Sequence, residues 1–521
     1  MHWLEAGQWH WIHTGDVRMN IAGCGLEWLF APMILLTRGD QWLFLFNWFA
    51  FLLLPGLIYS VFLRLGVRPR VAWWWMWLLP SGWCFVMQAS STVNDAFAAA
   101  YALAAVDLAL RAREKNSAGD LWLALLAAAL ATGVKQTALL VAFPGLIAVL
   151  PAVKMLLKKP LPSLAVLGVC LLVSAVPTMI FNWQNTGTWS GVTAKDWGYA
   201  ELHSPLWGII GNIFCLTLQN FKPPFFPFAN AWNDTRHHFL QTSFGAHFAG
   251  FEDFGRLTNG VSETTAGIGL GISLLIVLAF LLARRYRLNP GSTVGFFRED
   301  FSRRLLRWTP WLLLLVFMAK VGTCENGRQL APYYIFLFPS LLILRGHSDM
   351  VRRHWWRLTA RLVMAFAVVL VIVSPVRPLF PAQTILGRLA ETHPQSKLIA
   401  SICRSYAEPG NFLQERQLLQ HSLPPEETVI GYAALAGQAE SSLWMPYGRR
   451  QVQRVLPEDS PEQLRAAGIH FVLIEDNYLK TANDTLEQWL VRYHGDLIQQ
   501  WEIHGNRHEP EGYFLVRLQP A

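Results

Sequence analysis

Charge is scarce in this sequence. Asp, Glu, Lys and Arg make up 15% of its 521 residues, against roughly a quarter in a soluble globular chain. With 53% hydrophobic residues and a mean hydropathy of +0.28, that scarcity points to a polytopic membrane protein. Cysteine is sparse as well. Cys24, Cys84, Cys170, Cys215, Cys324 and Cys403 are scattered, with no CxxC or other metal spacing. Their placement implies no small disulfide framework. Met1–Asp16 has neither a basic start nor a clean apolar core, so it is not read as a signal peptide. Internal repeats and low-complexity tracts are absent too.

What is present is a series of apolar runs, often edged by tryptophan, of which the chain has 24. About ten reach or approach spanning length: Trp42–Leu63, Val71–Met87, Ala96–Leu110, Leu121–Ala131, Thr137–Leu150, Leu164–Phe181, Ile268–Leu282, Trp308–Met318, Leu330–Leu344 and Leu358–Val373. Leu26–Leu36 is shorter and suits an interfacial or re-entrant helix. The net charge of +8 sits in short clusters between runs, at Arg64–Arg70, Arg111–Lys115, Lys154–Lys159, Arg284–Arg307 and Arg345–Arg357. By the positive-inside rule these are cytoplasmic loops and carry no nucleic-acid signal. Residues 1–40, Gln88–Asp95, Gly133–Gln136, the loop 182–265, Lys320–Arg328 and residues 376–521 then lie outside. The expected organisation is an extracytoplasmic segment 1–40, a transmembrane domain 41–375 and a soluble extracytoplasmic domain 376–521. About forty N-terminal residues would be external with nothing to translocate them, so a first span is expected upstream of Met1; the alternatives are that Leu26–Leu36 enters the bilayer or that a short N-terminal tail is translocated unaided.

Beyond Pro375 the pattern changes. Leu386–Tyr406 alternates at helical period, while Thr428–Leu435, Phe471–Ile474 and Tyr513–Leu518 are short β-branched or aromatic runs. Pro461–Ala467 and Asp484–Tyr493 read as helices. A small α/β domain is expected, without G-x-G-x-x-G, P-loop or H-E-x-x-H motifs.

Four polar islands fall on one expected membrane face. Asn94 and Asp95 head an apolar helix, where a carboxylate is expensive unless it lines a cavity or is paired. The plain alternative is a helix cap from Asn94 or Thr92, with Asp95 at the positive helix end. Lys135 and Gln136 separate two apolar runs. Lys135 is either a snorkelling lysine or a fixed cation for a lipid phosphate at headgroup depth. Lys320–Arg328 holds Glu325, Asn326 and Arg328, and an arginine fork grips phosphate bidentately. The N-terminal island holds His10, His13, Asp16, Arg18, Asn20 and Glu27. His203, His237, His238 and His247 lack metal-ligand spacing and read as loop residues. Carboxylates beside two cations suit a lipid-phosphate substrate. A carboxylate there serves as general base, or holds a divalent cation over the phosphate, with Asp95 the candidate ligand.

These residues carry a resemblance. His2-Trp3-Leu4-Glu5-Ala6-Gly7, Arg18-Met19-Asn20, Gly25-Leu26-Glu27-Trp28, Asn94-Asp95, Gly133-Val134-Lys135-Gln136-Thr137 and Asn326-Gly327-Arg328 with Ala331-Pro332 stand in order over Met1 to Leu344. The set resembles the multi-spanning GT-C glycosyltransferases, especially the bacterial branch related to protein O-mannosyltransferases and lipopolysaccharide-modifying transferases. Gln329 stands where that family usually has an aromatic residue. The resemblance implies an all-α, GT-C-like membrane domain in a bacterial inner membrane. It implies transfer of a sugar from a polyprenyl-phosphate carrier to an extracytoplasmic glycan, lipid or protein. It assigns Asp95 and Glu27 to the acidic site and Lys135 and Arg328 to the carrier phosphate, supported by Asn94, Gln136 and Asn326. The family's general base follows the first span, so it would lie upstream of Met1, and catalysis by the chain as written would lack it. Asp16 is not expected to substitute. Competing readings are a polymerase or ligase using a lipid-linked oligosaccharide, and a transporter or scaffold. Against the first, the loop 182–265 is poor in arginine. Against the second, the ionisable groups cluster at one face and in basic loops, away from mid-helix positions.

Overall fold

In the computed structural model the helix Asp95–Lys115 is the axis of the helical part of the chain. Its sequence is dominated by alanine, and Ala98, Ala99, Ala102, Ala105 and Ala109 are all at most 1% exposed. Small side chains let neighbours approach closely, and four do: the helices Phe44–Arg64, Ala118–Val134, Ala138–Val149 and Ala331–Leu342. The helix ends where Asn116 turns left-handed (φ 51°). Ser117 then caps the next helix, its hydroxyl accepting from the Asp120 N–H at 3.3 Å.

The structure describes the chain except residues 8, 10, 136, 192–201, 203, 252, 262, 264, 287–300, 323–325, 345, 376, 397, 401, 404, 407–416, 418, 435–439, 505–509 and 520–521. The chain divides into two units. One comprises Gly23–Glu27 and Leu43–Leu370; the other comprises Met1–Ala22, Trp28–Trp42 and Val371–Ala521.

About ten spans were expected. Among the described residues two helices are long and apolar enough to cross a membrane, Phe44–Arg64 and His354–Ile372. A third qualifies if the pair Pro160–Val173 and Val176–Thr186, bent by 52°, is one span. Glu27–Thr37, Ala118–Val134, Ala138–Ala152, Leu270–Leu282 and Ala331–Leu342 are apolar but shorter. The expected run Val71–Met87 breaks after Leu78 at Pro80 and Gly82, giving the helices Pro69–Leu78 and Trp83–Val86. The helix Asp95–Lys115 is long enough, but Asp107, Arg111, Arg113, Glu114 and Lys115 dilute its hydropathy. The expected loop 182–265 also differs, because it contains the helices Pro205–Phe221 and Ala229–Leu240.

Far along the central helix from Asp95, a polar pole ties three helices together. Asp107 accepts from Arg64 Nε at 2.8 Å and from Ser60 Oγ at 2.5 Å. Glu114 pairs with Arg64 and, at 3.4 Å, with Arg303. At 1.5 Å per residue Asp107 lies about 18 Å from Asp95 along the axis and Glu114 about 28 Å.

The second unit holds a five-stranded sheet: β1 (Val429–Ala433), β2 (Gln451–Arg454), β3 (Phe471–Glu475), β4 (Gly495–His504) and β5 (Pro510–Leu518). Its order is β2-β1-β3-β5-β4, with β1 parallel to β2 and β3, and β5 antiparallel to β3 and β4. Central strands β1 and β3 are buried along almost their whole length, as unbroken apolar runs require. Tyr432, Leu473 and Leu515 face one core cluster; Val472, Ile474, Trp489 and Val516 face another. The helices Pro461–Ala466 and Leu486–Tyr493 each begin with a capping box, from Ser460/Gln463 and Thr485/Gln488. The N-terminus belongs to this unit. Met1 and Ile34 pack on the first cluster, and His2 and Arg454 both pair with the buried Glu440. Trp444 Nε1 donates to the same carboxylate at 3.1 Å. Burial pushes the Glu440 carboxyl up, but the His2 hydrogen bond and the His2 and Arg454 charges outweigh it and bring it down to about 2.

Candidate active site

The expected cap at the head of the central helix is not formed by the Asn94 side chain. Its Nδ2 instead donates to Val134 O at 2.9 Å. Val134 is the last residue of the helix Ala118–Val134, so its carbonyl has no partner within that helix. The Asn94 bridge thus ties the start of one helix to the end of another. Asn47 supports the same turn from the helix Phe44–Arg64: it is fully buried and donates to Ser91 O at 2.8 Å and to Val93 O.

Asp95 follows, in the first helical turn, where the helix dipole favours a carboxylate. It is 1% exposed. Lys135 Nζ hydrogen-bonds its Oδ1, and Arg328 Nε lies 3.8 Å from its Oδ2. Three segments far apart in the chain therefore bring one carboxylate and two cations together. A buried carboxylate so paired is stabilised, and loss of one partner costs about 3–5 kcal/mol.

Glycines set where Lys135 sits. Gly133 passes so close to Val173 that a Cβ would lie 2.1 Å from its carbonyl oxygen. On its other side Gly25 N–H donates to Gly133 O at 3.0 Å. A Cβ on Gly23 or Gly25 would lie within 3.0 Å of Gly133 backbone atoms. Only glycine allows such contacts between backbones, and Lys135 leaves this junction in an extended conformation.

Arg328 is carried by the short helix Asn326–Gln329. Gln219 Oε1 accepts from Gly327 N–H at 2.7 Å, and Asn212 Nδ2 donates to Met318 O and Val321 O at 2.8 and 2.7 Å. Asn220 donates to Tyr334 Oη at 3.0 Å and accepts from Ile268 N–H at 2.8 Å. The helix Pro205–Phe221 thereby fixes both approaches to the arginine.

Four of the expected residues, Asn94, Asp95, Lys135 and Arg328, meet here. Glu27 starts its helix with an exposed side chain and is in no ion pair with them. Its segment nevertheless reaches this region through Gly25. Gln136 lies outside the described residues, as do Glu325 and the side chain of Asn326. His237 and His238, expected in a loop, are exposed on the helix Ala229–Leu240. Among the described residues no group of three His, Cys, Asp or Glu side chains could hold a metal ion. The two cations flanking Asp95 also repel a divalent ion, so the residues present do not fit one. Sequence reasoning missed Asn47, Asn212, Gln219 and Asn220. Their signal was isolated amides within apolar runs, which must find hydrogen bonds when buried.

No family model matches the chain, and no curated protein matches it. Among solved structures it is similar to ArnT from Cupriavidus metallidurans, crystallised bound to undecaprenyl phosphate, with 12% identity over 98% of this chain and 91% of that one, at a TM-score of 0.48. A likeness of that degree assigns neither activity nor residue roles to this chain.

Proposed function

We propose that this chain is a membrane glycosyltransferase of the GT-C kind, moving a sugar from a polyprenyl-phosphate carrier to an extracytoplasmic acceptor. The observation that supports it best is Asp95 held between Lys135 and Arg328 in a bundle of apolar helices. Lys135 and Arg328 supply two positive charges where a phosphate monoanion or dianion would sit, and the Arg328 guanidinium can bind two phosphate oxygens. Asp95 keeps both cations in place before the carrier arrives and neutralises part of their charge. On carrier binding, Arg328, the more distant partner at 3.8 Å, exchanges the carboxylate for phosphate. Stabilising the leaving phosphate is the chemical contribution of the pair, because negative charge develops on it as the glycosidic bond breaks. Among the described residues, Glu27, on the segment that reaches this region through Gly25, is the carboxylate assigned to take a proton from an acceptor hydroxyl, since Asp95 is held by the two cations.

The test is sugar transfer by the full chain in proteoliposomes, from polyprenyl-phosphate sugars labelled with ¹⁴C. Transfer that falls at least about 100-fold in Lys135→Met and in Arg328→Met supports the proposal. Transfer unchanged in both folded variants, or none with any polyprenyl-phosphate sugar, contradicts it.

A further inference from the structure

The helix Pro205–Phe221 is built inside out. Its seventeen residues contain no Asp, Glu, Lys or Arg. Its polar amides turn inward: Asn212 donates to Met318 O and Val321 O, Gln219 accepts from Gly327 N–H, and Asn220 bonds Ile268 N–H and Tyr334 Oη. Its outer face is apolar apart from Thr217, whose hydroxyl donates back to Ile213 O at 2.7 Å, with Leu206 64%, Ile210 40%, Ile213 52%, Phe214 41% and Phe221 36% exposed. In water the opposite arrangement is stable, with the apolar stripe buried and the amides solvated. Large apolar side chains lined up on an exposed face over about 25 Å of helix require a non-aqueous neighbour.

Two further observations identify it. The helix packs on Leu270–Tyr286 and Phe301–Lys320. Those helices also expose apolar side chains, among them Leu278, Leu281, Leu312 and Val316. Leu270–Tyr286 in turn abuts the helix His354–Ile372, which is long and apolar enough to span, a Cβ on Gly271 lying 2.6 Å from Val363, so the outer face is continuous with an apolar surface that reaches a span. In addition, its inner contacts are with Met318–Val321, Gly267–Ile268 and Gly327, which lie near the Asp95 end of the bundle. We infer that Pro205–Phe221 is embedded among the acyl chains of bilayer lipid at the Asp95 end of the bundle, within a stretch that sequence patterning places in an aqueous loop. Its lipid-facing side anchors the segment at membrane depth, and its amide side holds the backbone carrying Arg328. A transporter or scaffold could carry the same helix, so failure of the transfer assay leaves this inference intact.

The experiment uses the wild-type full chain in nanodiscs of phosphatidylcholine bearing a diazirine at the acyl-chain terminus. After illumination, adducts are mapped by proteolysis and mass spectrometry. Adducts are expected on Leu206–Phe221 at a level comparable to those on the spanning helix Phe44–Arg64, and not on the exposed polar residues Asp234 and His237 of the neighbouring helix. Adducts on Phe44–Arg64 but none on Leu206–Phe221 would overturn the inference. In parallel, Ile213→Asp is expected to lower the melting temperature in nanodiscs by several degrees, because it forces a carboxylate into hydrocarbon. An unchanged melting temperature, as for an exposed position in an aqueous loop, would also overturn it.

Discussion

Asp95 shows how a single buried charge constrains its surroundings. With 1% exposure it has no water to solvate it, so Lys135 and Arg328 are structural partners as well as candidate ligands for phosphate. Lys135→Met is therefore expected to destabilise the chain by about 3 kcal/mol, and Asp95→Asn combined with Lys135→Met to recover part of that loss. Thermal unfolding of the two variants checks this; a double variant no more stable than Lys135→Met alone would contradict it. Glu440 offers a second test. Its carboxyl titrates near 2 in the folded chain and near 4.3 when unfolded, so the unfolded chain takes up a proton first as acid is added. Its contribution, on the order of 3 kcal/mol, is complete above about pH 4.3 and is lost as the pH falls towards 2. The melting temperature should fall across that window in the wild type, with a shallower acid decline in Glu440→Gln.

At the scale of elements, glycine positions matter more than helix propensity. Gly133→Ala places a methyl 2.1 Å from Val173 O, which no rotamer relieves, and shifts the strand of chain that presents Lys135. The expected cost is about 3 kcal/mol with loss of transfer. Gly168→Ala is the control: it lies within the helix Pro160–Val173 with nothing within 4 Å, and is expected to be neutral or stabilising by up to about 1 kcal/mol. Equal behaviour of the two variants in thermal unfolding would refute the junction's role. Elements were legible in the sequence where pattern and length agreed. Trp42–Leu63 anticipates the helix Phe44–Arg64, and three of the five strands coincide with β-branched or aromatic runs. Strand β2, Gln451–Arg454, escaped because three of its four residues are polar and its two buried positions are Val452 and the paired Arg454. The helix Pro205–Phe221 escaped because its amides and glycines lower its hydropathy, and only its partners reveal that those groups face inward. The meeting of Asp95, Lys135 and Arg328 was legible as polar islands on one expected face. The amides that hold it were not, since a lone Asn in an apolar run says nothing about which carbonyl it reaches.

For the whole molecule, the chain divides into two units, one helical and one carrying the sheet. Met1–Ala22 and Trp28–Trp42 group with Val371–Ala521, while Gly23–Glu27 groups with the helical bundle. The extracytoplasmic placement of the sheet-bearing unit remains a proposal resting on the basic loops. A cysteine placed at exposed Lys480 should react with an impermeant maleimide in intact cells; labelling only after lysis would reverse the topology. The central claim is that Lys135 and Arg328 bind the phosphate of a polyprenyl carrier. The most direct measurement is the affinity of the full chain, in nanodiscs, for undecaprenyl phosphate. Saturable binding is predicted, weakened at least about tenfold by Arg328→Met while the fold is kept, with undecaprenol lacking the phosphate failing to compete. Binding equally tight in Arg328→Met, or equal competition by undecaprenol, would contradict the account.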